Sequence, residues 1–331
     1  MSKVKIKDVA KVAGVSTATV SHVINKTRYV SDETTDRVLH AMKQLNYRPN
    51  HAARSLRSSK TNTIGFIIPV HKEDTSKTFF MSIAEGLEET LRKRGYHVII
   101  SNSKEDFEHE IEQVQLLNHQ ITDGIILATT CHDFDELKDY LEEDHPLVLI
   151  DRIPNGYDGD SVTIDSYRGT VEAIQYLKES GYRRIGFAGA DISISTAKER
   201  LKGFRDVLQP EADLEDRIFI SRPTYEDGYQ IASKLIEQGL DAVFSANNVL
   251  TTGIMHYLVE HDILIPEDIA VITFDNTEWT QIISPSVTVV EQPAYQMGVE
   301  AANIILERIE SPDNEPIQTV LKPTLIKRKS T

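Results

Sequence analysis

Two kinds of architecture are predicted along this chain of 331 residues. An α-helical helix-turn-helix head occupies residues 1–48, and an α/β body of doubly wound parallel sheets begins near residue 62. Three observations predict it. Charge divides sharply between the two parts. Three short stretches of the head carry apolar residues at helical spacing. From residue 62 onward, β-rich apolar runs alternate with helical patterns, which implies parallel sheets covered on both faces.

The net charge is -15, yet residues 1–60 hold twelve Lys/Arg against four Asp/Glu, a surplus of +8, and the remainder carries -23. A basic head on an acidic body is drawn to phosphates by one part only. The 40 % hydrophobic content is ample for more than one domain. A single cysteine, Cys131, excludes a disulfide framework. The first residues lack the apolar region of a secretory signal, and no apolar run approaches ~20 residues. A cytoplasmic protein with no membrane partner is expected.

The first helix spans about Ile6 to Ala13, with Ile6, Val9, Ala10 and Ala13 on one stripe. Gly14 permits a tight turn, and Ser16 is a good N-cap for the next helix. That helix, VSTATVSHVIN (15–25), places Val15, Val20, Val23 and Ile24 on one face and only small or hydrogen-bonding residues on the other. Short side chains permit close approach to base edges in a major groove, where hydroxyls bond and methyl groups meet thymine. Ser31 can cap a third helix carrying Val38, Leu39, Met42 and Leu45. The candidate nucleic-acid contacts of the head are Ser16, Thr17, Ala18, Ser21, His22, Lys26 and Arg28.

Residues 49–61 read as a hinge helix and linker. Pro49 suits a helix start, and two turns are too short to persist unpaired. Leu56, between Arg54 and Arg57, has the character of a minor-groove wedge, with packing on the body as the alternative. Asn50, Ala53, Leu56 and Arg57 complete the DNA-contacting candidates.

In the body, Thr63–Ile68, Val98–Ser101, Gly124–Ala128 and Leu147–Ile150 read as buried strands, with helices near 79–94, 106–119 and 133–143. Strands resume at Val162–Ile164, Arg184–Ala188, Ala242–Ala246 and Ile269–Phe274. Two lobes are expected, about 62–161 and 162–291, because each sheet suits around 100 residues. From Gln292 an amphipathic helix (Met297, Ala301, Ile304, Ile305, Ile309) precedes a terminal strand. Doubly wound sheets bind ligands at the carboxyl ends of their strands. Asp151 and Arg152, Asn247 and Asn248, and Asp275 and Asn276 stand at three such ends. Alternating acceptors and donors of this kind suit a polyhydroxylated ligand.

The pattern D-V-A-x-x-A-G-V-S-x-x-T-V-S at 8–21, followed by N-Y-R-P-N-x-x-A-R-S-L at 46–56, resembles the LacI/GalR family of bacterial repressors. The reading helix is similar to those of its purine and ribose branches. The resemblance implies a homodimer on a near-palindromic double-stranded operator, with Thr17, Ala18, His22 and Arg28 in the major groove, Leu56 as the minor-groove lever and Arg57 beside it. It also implies a two-lobed body like the periplasmic sugar receptors, whose last segment returns (292–322) to the first lobe before a strand joins the second. Arg200 matches the arginine aimed into the cleft, Asp275 the effector-binding acid, Asp151 a further contact, and Phe79 and Phe80 the start of the first core helix. Asn248 stands where Asp is usual, Ile194 where the purine branch has arginine, and Pro223 where many relatives have an aromatic ring.

With Arg152, Arg200 and Arg222 expected nearby, the effector expected is a sugar or sugar acid, the acid gripped by an arginine fork. A purine or a phosphoprotein corepressor is the alternative. Trp279 faces either the cleft mouth or the core. No enzymatic pattern appears: there is no Walker A run, no G-x-G-x-x-G, and no metal-spaced Cys/His set, so neither catalysis nor a cofactor is expected.

Overall fold

The computed structural model describes residues 4–25, 28–47, 60–71, 77–118 and 120–331. Contacts divide the chain into two units, residues 1–61 and 62–331. Lys26, Asn50, Ala53, Leu56 and Arg57 of the expected DNA-contacting set lie outside the described residues.

The head holds α1 (Ile6–Ala13), α2 (Thr17–Asn25) and α3 (Asp32–Gln44). Gly14 adopts φ 65°, the left-handed turn that ends α1. Ser16 Oγ accepts the Thr19 backbone N–H at 3.0 Å, which caps α2. Val9, Ala10, Ala13, Val20, Val38 and Ala41 form one buried cluster, so the three helices are held by a shared core. Ser31 departs from expectation: its hydroxyl bonds the Thr34 hydroxyl at 3.0 Å and makes no backbone cap.

Among its described residues the body contains twelve strands: β1 (Thr63–Ile68), β2 (His97–Asn102), β3 (Gly124–Leu127), β4 (Leu147–Ile150), β5 (Ser161–Ile164), β6 (Ile185–Gly189), β7 (Ile218–Ile220), β8 (Ala242–Ser245), β9 (Ala270–Phe274), β10 (Thr288–Glu291), β11 (Gln318–Leu321) and β12 (Thr324–Ile326). They form two six-stranded sheets, ordered β11-β5-β4-β3-β1-β2 and β12-β10-β9-β8-β6-β7. All neighbours are parallel except β10 and β12. The chain therefore crosses between lobes after β5, after β10 and between β11 and β12.

The helices of the body are α4 (Lys77–Lys93), α5 (Phe107–Leu116), α6 (Phe134–Lys138), α7 (Ser166–Glu179), α8 (Ser195–Leu208), α9 (Tyr225–Glu237), α10 (Asn248–Glu260), α11 (Glu278–Ile282) and α12 (Ala294–Glu310). Returning to the first lobe, α12 buries Met297, Ala301, Ile304 and Ile305 in the core that contains Ile64 and Phe66. It meets α4 at backbone distance, because a Cβ on Gly298 would lie 2.1 Å from the Ile83 carbonyl oxygen.

Strand β5 pairs with β4 and β11, so the border between lobes falls after Ile164, close to the expected one. Other expectations are corrected. Strand β2 is an edge strand with Ile99 and Ile100 exposed, not a buried one. The helix expected to 143 ends at Lys138. Phe80 is 2 % exposed and packs inside the first-lobe core. Among the described residues no helix is long and apolar enough to cross a membrane.

Candidate nucleic-acid interface and ligand cleft

In the head, α2 turns Val20 fully inward, with Val15, Val23 and Ile24 packed around it. The opposite face leaves Ser16, Thr17 and Ala18 exposed and Ser21 and His22 half-buried, while Arg28 beyond it is exposed. No Lys or Glu stands on this helix, so its outer surface is low and hydroxyl-rich. Ser16 Oγ also lies 2.9 Å from the Thr19 hydroxyl, so that side chain is engaged at the cap.

In the body, the strand-end rule brings the sequence candidates together. Asp151 follows β4 and is 8 % exposed; Asp275 follows β9. Arg200, on α8, lies in the field of both carboxylates. Its guanidinium carbon sits 3.7 Å from the Phe274 ring centroid, and Nη1 donates to the Ala246 carbonyl at 2.7 Å. Its Nε is buried and has no partner. Burial draws the Arg200 pKa below its ordinary value, against the pull of Asp275 and Asp151. Burial likewise raises Asp151, against Arg152 and Arg200.

Asp275 is held on both oxygens. Asn248 Nδ2 donates to Oδ2 at 2.7 Å, and Gln292 Nε2 donates to Oδ1. Asn247 acts differently: its side-chain oxygen accepts from Val249 and Leu250 at 3.0 and 3.1 Å, capping α10. A cavity of about 160 Å³ opens over Asp275, lined by Thr78, Phe79, Ser82, Asn248, Asn276, Thr277, Glu291, Gln292 and Ala294 as well. Gln292 and Glu291 stand at the carboxyl end of β10, whose short apolar pair Val289–Val290 gives little sequence signal.

A larger cavity, about 700 Å³, lies between Thr129–His132 and Arg152–Asn155 of the first lobe and Ile192–Ser195 with Lys198 and Lys202 of the second. The larger volume falls within the ~300–1,000 Å³ of small-molecule sites. The lobes meet at its rim, where the Ile153 N–H donates to Ser195 Oγ at 3.1 Å. Glu110 is buried behind this wall and accepts from the Thr130 N–H at 2.6 Å and its hydroxyl at 2.9 Å. Cys131 lines the cavity, and burial pushes its thiol up to about 11, which keeps it from acting as a nucleophile near neutral pH.

The expected arginine fork is not available. Arg152 pairs with Glu105 and lies 3.6 Å from Asp151. Arg222 is 80 % exposed and grips Asp227 at 2.9 Å. Arg200 is flanked by two carboxylates. Trp279 packs against the second-lobe core, its indole N–H buried without a partner.

Comparisons with known proteins agree with both parts of this geometry. Residues 5–50 match the model of bacterial regulatory proteins of the lacI family, and residues 174–331 match a periplasmic binding protein-like domain. The HTH-type transcriptional repressor PurR of Vibrio atlanticus (strain LGP32) is 35 % identical over 332 residues, covering 98 % of each chain. The solved complex of the transcriptional regulator CelR with cellobiose is 30 % identical, with a TM-score of 0.73 over 99 % of this chain and 100 % of that one. The lac repressor dimer bound to operator and the anti-inducer ONPF has a TM-score of 0.85 at 23 % identity, over 100 % and 99 % of the two chains, a likeness of fold.

Proposed function

The chain belongs to the LacI family of bacterial transcriptional repressors, a DNA-binding head joined to an effector-binding body, and from that premise we propose that it represses carbohydrate-utilisation genes as a homodimer, under the control of a neutral sugar. The observation that carries the ligand class is the make-up of the 160 Å³ cavity. One aromatic ring, Phe79, stands among ten lining residues, and eight of the others are polar or charged. A planar purine is best served by apolar cover on both faces. A polyol needs many hydrogen-bond partners once it leaves water, and these residues supply them. The CelR complex with cellobiose supports the same reading. The sugar acid loses its support, because the arginines that would hold its carboxylate are engaged by Glu105, Asp151 and Asp275.

A second reading has its own observation: the PurR repressors are 33–35 % identical along almost the entire chain. Calorimetry of the full-length protein with ribose, neutral hexoses, hexuronates and hypoxanthine separates the two. Binding of a neutral sugar supports the proposal, and binding of hypoxanthine alone overturns it.

Control follows from linkage. A ligand between the lobes favours one lobe angle, and the operator-bound dimer favours one angle too. Whatever factor the ligand imposes on operator affinity, the operator imposes on ligand affinity.

A further inference from the structure

The cavity over Asp275 has a one-sided hydrogen-bonding character. An ionised carboxylate only accepts, so Asp275 compels Asn248 and Gln292 to turn their amide nitrogens toward it. Glu291 does the same to Asn276, whose Nδ2 donates at 2.7 Å. All three amides lining the cavity thus commit an N–H to a carboxylate. On the acceptor side, Gln292 Oε1 is buried without a partner, and so is the Thr277 hydroxyl, which can accept or donate. The space asks for a ligand that donates.

Charge leans the same way. Glu105, Asp151, Asp275 and Glu291 stand around the cleft against Arg152, Arg200 and Arg328. Arg328 is tied down, donating to the Thr280 hydroxyl at 3.0 Å, the Val287 carbonyl at 2.8 Å and Asn276 Oδ1. Of the residues lining the cavity over Asp275, Asp275 and Glu291 carry charge and none is basic. The lysines Lys198 and Lys202 line the other, larger cavity.

We propose that the cavity over Asp275 receives a positively charged donor, the ammonium group of an amino sugar, against Asp275 and the Gln292 carbonyl oxygen. An ammonium brings three donors, no acceptor and a positive charge toward the two lining carboxylates. A hydroxyl brings one donor and no charge. A carboxylate or phosphate would face Asp275 with acceptors only. Selection of a sugar by its amine deepens the carbohydrate reading above and rests on it.

The test is calorimetry of the full-length protein with glucose, galactose and mannose, their 2-amino counterparts, N-acetylglucosamine and glucuronate, with hypoxanthine as a separate arm. At least one 2-amino sugar binds tenfold or more tightly than its parent hexose, acetylation removes the gain, and glucuronate binds more weakly than glucose. Asp275→Asn, which keeps volume and backbone preference, shrinks the amine-to-hexose ratio, while Asn248→Asp, which adds a carboxylate at the same cavity, enlarges it. Hexoses binding as well as their amines, or glucuronate binding best, overturns the inference and leaves the carbohydrate reading standing. Binding of hypoxanthine and no sugar removes both.

Discussion

Asp151 and Asp275 occupy the same place in two different sheets. Each follows a strand that stands third in its sheet, β4 in one order and β9 in the other. Each has a left-handed φ, 69° and 73°, and each donates its backbone N–H at 3.0 Å to the adjoining strand, at Val162 and Val290 respectively. Asp and Asn tolerate that conformation better than most residues. The lobes therefore present two carboxylates by one device, and Arg200 lies in the field of both.

Removing the shared cation takes its field from the buried Asp151 and the half-buried Asp275. Arg200→Leu is expected to lower stability by about 2 kcal/mol, through loss of that field, the Phe274 ring contact and the Ala246 hydrogen bond. Adding Asp151→Asn to that background restores part of the loss. Urea unfolding of the three variants checks this; equal midpoints for wild type and Arg200→Leu would contradict it.

Asp151 supplies a pH dependence with a definite sign. Its carboxyl is held above the ordinary value of 3.8, chiefly by burial. The folded chain keeps that proton to higher pH than the unfolded chain, so this group favours folding below the ordinary value and loses that favour as pH rises toward the folded one. Asp151→Asn removes the loss without disturbing the left-handed backbone. The advantage of the variant over wild type should widen as pH climbs from 3.8 toward neutrality, measured by urea midpoints across that window. Parallel curves would refute it.

Much of this site is legible in the sequence. Asp151, Asn248 and Asp275 announce themselves by following unmistakable apolar runs, LVLI, AVFSA and VITF. Gln292 and Glu291 do not, because the apolar residues of β10 are only Val289 and Val290, and β7 has only three residues. The lost arginine fork was illegible for another reason. Glu105 and Arg152, both of the first lobe, are 47 residues apart, and no periodicity reports so distant a pairing. Phe79 and Phe80 show the limit of the helical pattern: adjacent residues point to different sides, and one lines the cavity while the other is core.

The junction of α4 and α12 has no room for a side chain. A Cβ on Gly86 would lie 2.2 Å from the Tyr295 carbonyl oxygen, and Gly298 is as tightly placed. Gly298→Ala is expected to cost about 2 kcal/mol or more through overpacking. Thermal unfolding reads it, and a midpoint equal to wild type would show that the helices separate freely.

In the head, opposite faces of α2 should fail differently. Val20→Ala empties part of a six-residue core and costs about 2 kcal/mol, so helicity of the head falls along with DNA binding. Ala18→Glu alters only an exposed position. It should leave the unfolding curve in place while lowering operator affinity about 100-fold, by setting a negative charge against phosphates and base edges. Circular dichroism and DNA-binding anisotropy on the same samples distinguish the two; loss of folding in Ala18→Glu would undo the assignment of that face.

Selection of bound sites from random duplex DNA by the full-length protein, repeated in the presence of the sugar panel, bears most directly on the whole account. A palindromic site should emerge, bound at two chains per duplex, with its affinity shifted at least tenfold by the sugar that the body binds. Recovery of no sequence over scrambled duplex, with or without sugars, would contradict it.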